Sequence, residues 1–257
     1  MKKKLSKFMA LAMTGIMLCA PLTVNAADDD YAEGTTTGSG NVEGILNKEV
    51  FKVDLPVIPE DGSDDTFNFI LDPQGLIKDT NAAAYDGASF DSKAAGLYFK
   101  NTDGTDTWYS AQSDYLKAIN MSTVPVDISI TAAFGGTTKK TDNKDIYLTT
   151  DEYFTDDTDT TLFLALQTDW KDWVPFDAQS WKATVSQTLS AAPSDAYYVE
   201  YDADSSEYKY TLTEGYSKFD AIQFGLYGMC NMAGDWTGAE AVAPEIEVTW
   251  TLEKHVD

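Results

Sequence analysis

The chain has 257 residues, of which 43% are hydrophobic, 42 are Asp or Glu and 18 are Lys or Arg. Every one of the 18 is a lysine, the lone histidine is His255, and the two cysteines are Cys19 and Cys230. A single histidine near the end of the sequence rules out Ser-His-Asp, Cys-His and multi-histidine metal chemistry, and a net charge of −24 without arginine argues against nucleic acid and anionic membrane surfaces as partners.

Residues 1–26 read as a signal peptide. Lys2, Lys3, Lys4 and Lys7 form a positive start, Phe8 to Ala20 is an apolar run too short to span a bilayer, and Val24-Asn25-Ala26 offers small residues for cleavage after Ala26, with Ala27 the second choice. A lipoprotein role for Cys19 is disfavoured by Leu18, since that pathway prefers a small residue just before the cysteine. Cleavage removes four of the 18 lysines and none of the 42 acids, which takes the charge from −24 to −28. It also leaves Cys230 alone, so no internal disulfide is expected and stability must come from burial. No second membrane span and no LPxTG-like sorting signal are read in the sequence, and an extracellular location follows, secreted or surface-associated. The Lys-rich leader and the lack of disulfides fit a Gram-positive bacterium.

Residues 27–44 are acidic and then Thr-, Gly- and Ser-rich, the composition of a solvated tail. Residues 45–257 are expected to form one domain. Here the period is two. Phe51, Val53 and Leu55 alternate with polar residues, and so do Val126, Ile128, Ile130, Ala132 and Phe134. The same pattern recurs in Trp181, Ala183, Val185 and Leu189, in Ile222, Phe224, Leu226 and Cys230, and in Ile246, Val248, Trp250 and Leu252. Half-buried antiparallel strands give such alternation. Turns are predicted at Asp61 to Asp65, at Asp72-Pro73-Gln74-Gly75, at Asn101 to Gly104, at Gly135-Gly136 and at Asp156 to Asp159. Leu76 to Tyr85 is a candidate short helix, and Ser113 to Asn120 fits either a helix or a strand. Tyr197-Val199-Tyr201 and Tyr208-Tyr210-Leu212 predict a hairpin with aromatic cross-strand partners. Ten or more short strands with polar turns predict an all-β fold, an antiparallel β-sandwich or jelly roll with one or two short helices.

The chemistry-bearing candidates are few. With 42 acids, carboxylate pairs of the glycosidase kind arise by chance, and none sits in a distinguishing signature. No cofactor motif is present, and calcium is the one candidate ion. Asp156-Asp157-Thr158-Asp159, Asp142-Asn143-Asp145 and Asp103-Gly104-Asp106 gather oxygens in loops, and Asp202-x-Asp204-x-Ser206 opens like a calcium loop. Glu207 and Thr213 stand where the EF-hand needs Gly and Glu, which excludes that motif. Asp and Thr also simply make turns. Trp170-Lys171-Asp172-Trp173 with Asp169 is the most distinctive cluster. Two tryptophans on a loop can stack on a sugar while Asp169 and Asp172 accept its hydroxyls, or they can cap an open end of the sandwich. Cys230 shares an apolar face and lacks a basic neighbour, as a small buried hydrophobe does.

Val248-Thr249-Trp250-Thr251-Leu252 resembles the C-terminal motif of WxL-type surface proteins of Gram-positive bacteria. Asn120 to Phe134 and Phe224 to Trp236 have the look of secreted Gram-positive surface β-sandwiches such as biofilm-fibre and camelysin-like proteins. The resemblance implies a β-rich extracellular protein held non-covalently on the cell wall through peptidoglycan, with Trp250 and Leu252 as attachment residues. A second Trp-x-Leu, usual in WxL proteins, does not occur upstream, and the alternation equally places Trp250 and Leu252 in a core. The expected function is that of a non-catalytic structural or adhesive surface protein, whose partners are wall polymer, another surface protein or further copies of itself. A carbohydrate-binding module using Trp170 and Trp173 is the alternative, and a carboxylate-based glycan hydrolase comes third.

Overall fold

A computed structural model describes residues 49–56, 66–154, 159–169, 172–205 and 207–256. The signal peptide, the acidic tail, the turn at 61–65, Asp156 to Thr158 and Trp170 lie outside the described residues. The elements in chain order are β1 (Val53–Asp54), β2 (Phe69–Leu71), α1 (Leu76–Asp79), β3 (Ser89–Phe90), β4 (Leu97–Asp103), β5 (Asp106–Ser110), β6 (Leu116–Asn120) and β7 (Val126–Thr137). They continue with β8 (Tyr147–Thr149), β9 (Thr161–Thr168), β10 (Asp172–Pro175), β11 (Lys182–Leu189), β12 (Tyr197–Asp202), β13 (Glu207–Leu212), β14 (Asp220–Cys230) and β15 (Ala243–Lys254). Short 3-10 turns follow α1 at Ala83–Tyr85 and precede β15 at Ala239–Ala241. The fold is all-β, as the alternation predicts.

Two sheets enclose the core. The six-stranded sheet runs β1-β6-β14-β9-β10, with β8 pairing parallel to β9, and the three-stranded sheet runs β11-β7-β15. On β7, Val126, Ile128, Ile130, Ala132 and Phe134 are buried, and the residues between them are half-buried. Ile128, Ile130, Ala132 and Phe134 meet Leu162, Leu164 and Leu166 of β9 and Ile222, Phe224 and Leu226 of β14 in one apolar cluster. Full burial of such a Leu, Ile or Phe contributes about 1.5–3 kcal/mol. A four-stranded sheet, β2-β4-β5-β3, adds Leu97 and Phe99 to the same cluster.

Asn120, at the end of β6, is fully buried and ties three segments together. Its Nδ2 donates to the carbonyls of Val124 (3.1 Å), Leu189 (3.2 Å) and Ser190 (3.0 Å), and its Oδ1 accepts from the Ser122 amide at 2.9 Å. The amide side chain thus supplies donors to one carbonyl in the reversal from β6 to β7 and to two at the end of β11.

Several local expectations resolve differently. Ser113 to Asn120 is a strand in its second half, because Lys117 and Ile119 must turn away from the core that Ala118 enters. The helix at Leu76 is one turn long; Asp72 accepts the Leu76 and Ile77 amides at 2.8 and 2.9 Å. Gly135-Gly136 is not a turn, since β7 runs through it to Thr137 and stays paired with β15. Gly136 adopts φ 74, and a Cβ there would stand 2.5 Å from the Ala243 carbonyl oxygen, so glycine permits the close approach of the two backbones. The predicted tyrosine hairpin forms as β12–β13, with Tyr201 opposite Tyr208 and their rings 5.2 Å apart.

Candidate binding face

The central strand β9 is an apolar run buried on both sides. Leu162, Leu164 and Leu166 face the core, so Phe163, Ala165 and Gln167 occupy the outer face of the six-stranded sheet. Three aromatic rings gather there. Trp173 of β10 stacks on Tyr227 of β14, with centroids 4.9 Å apart and planes inclined by 26°. Phe163 lies between the two strands and meets both rings edge-on at 6.2 Å. Phe163 is 1% exposed and anchors the group; Trp173 is 40% exposed and forms its open surface. Offset stacking of this kind adds about 0.5–1.5 kcal/mol beyond the area buried.

Gln167 stands between these rings and the adjoining strand. It pairs with Trp173 on β10 and with Gly225 on β14. A Cβ at Gly225 would fall 3.1 Å from the Asp114 carbonyl oxygen and 3.4 Å from the Tyr115 ring, so the missing side chain leaves room for residues 113–115, which run beside β14 between the pairings of Gln112 with Tyr227 and of Leu116 with Phe224. Gln167 is 8% exposed, and among the described residues its Oε1 has no hydrogen-bond partner. An unmade bond of this kind costs about 1–3 kcal/mol. Around the face, burial raises the Tyr227 phenol, with Glu152 and Asp91 raising it further. Burial pushes the Tyr115 phenol up to about 12, against a hydrogen bond donated by Gln112 and with a contribution from Asp169.

The residues singled out from the sequence are only partly brought together. Trp173 is a strand residue rather than a loop residue, because β10 pairs with β9 from Asp172 onward. Asp172 precedes it on the same strand and therefore projects to the opposite side of the sheet. Asp169 turns the chain at φ 48, exchanging its amide and its carboxylate with the backbone of Gln223. Tyr227 and Gln167 were missed by the sequence reading. The parity of Ile222, Phe224 and Leu226 does signal that Tyr227 points away from the core.

Trp250 and Leu252 lie on the inward row of β15, half-buried, and Trp250 meets Phe224 across the sandwich. Among the described residues no group of three or more His, Cys, Asp or Glu is placed to hold a metal ion. Asp142 accepts the Lys144 amide at 3.0 Å, and Asp202 pairs with Lys209 and Ser205. Cys230 is buried, and burial together with Asp72 pushes its thiol up to about 12. No helix among the described residues is long and apolar enough to cross a membrane. Comparison with family models, with curated proteins and with solved structures finds nothing that matches this chain.

Proposed function

We propose that the chain is an exported, non-catalytic structural or adhesive protein of the cell surface, which attaches to wall polymer, to other surface proteins or to further copies of itself. The observation that carries this reading is the open edge of β15. This strand of 12 residues pairs along its whole length with β7, and no other described strand pairs with it. Its inward row, Ile246, Val248, Trp250 and Leu252, is only half-buried because the sheet stops there. Long open edges accept an added strand, and charged residues along them restrain that pairing. Glu245, Glu247 and Glu253 supply that charge on the outward row.

Association along β15 would therefore rise with ionic strength as carboxylate repulsion is screened. Sedimentation velocity of the processed protein from low to high salt tests this, and Val248→Lys should hold it monomeric throughout. A single monomeric species at every ionic strength would remove self-association. Co-sedimentation with purified Gram-positive cell walls, with calcium and with chelator, tests wall attachment. The exposed Trp173 ring favours a second reading, that of a carbohydrate-binding module.

A further inference from the structure

We propose that the outer face of the six-stranded sheet is a binding site for a neutral, β-linked glycan chain, with Trp173 as the stacking surface and Gln167 as a hydroxyl acceptor. The site does not rest on assembly along β15, which belongs to the other sheet, and each can fail alone. It deepens the carbohydrate-binding reading by moving it from a tryptophan loop to a sheet face.

The geometry supplies what a sugar needs. A pyranose with equatorial substituents presents axial C–H bonds on both faces, and these pack on an aromatic ring whose plane is fixed in advance. Trp173 is so fixed, from below by Tyr227 and at the edge by buried Phe163. Little side-chain freedom remains to be lost on binding. Beside the ring lies an amide oxygen that no described group satisfies. Sugar hydroxyls are donors of the kind it lacks, and Gln167 stands directly opposite Trp173 in the β9–β10 ladder. The charge selects the class of glycan. The whole chain carries −24, with 42 acids against 18 lysines. Carboxylates accept hydrogen bonds from neutral sugars and repel uronic acids and phosphopolymers.

The test is calorimetric titration of the processed protein with cellohexaose, with chitohexaose and, as the acidic control, with polygalacturonate. Saturable binding to at least one neutral hexasaccharide and none to polygalacturonate is expected. Binding of chitohexaose alone would identify an N-acetylated glycan as the target, and equal binding of both would mean that the bare pyranose face is read. Trp173→Ala should weaken binding at least tenfold. Gln167→Met should leave the melting temperature unchanged or raised while weakening binding several-fold, a combination that a purely structural glutamine would not give. Tyr201→Ala, on the hairpin, should leave binding unaltered. Should Trp173→Ala fail to fold, hydroxyl-radical footprinting of the wild-type protein replaces it, with Trp173 and Tyr227 protected by the hexasaccharide. Absence of saturable binding to both neutral probes, unchanged affinity in Trp173→Ala, or no footprint protection would each overturn the proposal.

Discussion

Trp250 and Phe224 face each other across the sandwich with ring centroids 5.8 Å apart and planes inclined by 54°. One ring comes from the edge strand of the three-stranded sheet and the other from the middle of the six-stranded sheet, so the contact joins the two layers. The indole of the Trp-x-Leu motif thus has a packing role whatever else it does. Trp250→Ala should destabilise the protein by about 2–3 kcal/mol, below the range for fully buried aromatics because the ring is half-exposed. Urea denaturation measures this. Trp250→Phe should recover most of the loss, and wall co-sedimentation of that variant separates packing from attachment.

Asn120 should be intolerant of truncation. Its side chain donates to the carbonyls of Val124, Leu189 and Ser190, and alanine would leave the buried Leu189 carbonyl without this donor and the two part-buried ones weakened. Asn120→Ala is expected to cost about 2–4 kcal/mol. The check is the urea midpoint at constant m-value. Asn120→Asp should be no milder, since it replaces the donor with a further acceptor.

Acid should destabilise the fold over a defined range. Hydrogen bonds from Thr188 and then His255 hold the Asp127 carboxyl below its ordinary value of 3.8, and backbone and side-chain donors do the same for Asp142, Asp177 and Asp235. Asp202 is held lowest, at about 2, chiefly by Lys209. A carboxyl whose folded value lies below its unfolded value stabilises the fold fully above the unfolded value, and that contribution is lost as pH falls through the folded one. The contribution of these carboxyls should be complete above about pH 5 and decline from about pH 4 toward pH 2. Urea midpoints across pH test the profile, and Asp202→Asn should flatten its lowest part.

Cys230 should be inert in the folded protein. Burial pushes its thiol up to about 12, so the reactive thiolate is scarce at neutral pH as well as sealed. Labelling by a thiol reagent should be negligible in native buffer and complete in urea. Rapid native labelling would mean that the junction of β14 with the loop before Leu97 opens on its own.

The parts of this fold that could be read from sequence are those with one wet face. Val126 to Phe134 and Ile246 to Leu252 alternate cleanly because solvent or a neighbouring polar row lies opposite the core. The β9 run Thr161–Thr168 hides its direction, since both of its faces are covered and every second residue is apolar either way. That is why Gln167 passed unnoticed within an apolar segment. Gly135-Gly136 misled because glycine marks close backbone approach as readily as reversal. The tryptophan cluster was visible as composition, but its geometry depends on Trp173 pairing with Gln167 in a ladder, which sets its face and separates it from Asp172. Tyr227 is more than 50 residues away in sequence, and only the β9–β14 register brings it to Trp173.

Lys254 and Glu49 form an ion pair at 2.5 Å, next to where His255 donates its amide to Pro125 and its ring meets Asp127. The first and the last described stretches of the chain therefore meet at one end of the sandwich. Non-covalent contacts alone bring these two stretches together. A short bridge across this pair, combined with a cut at the exposed Asp103-Gly104 turn between β4 and β5, would yield a circular permutant that keeps every ladder except the end of that hairpin. Strand order along the chain would change while the two faces and the β15 edge stayed in place.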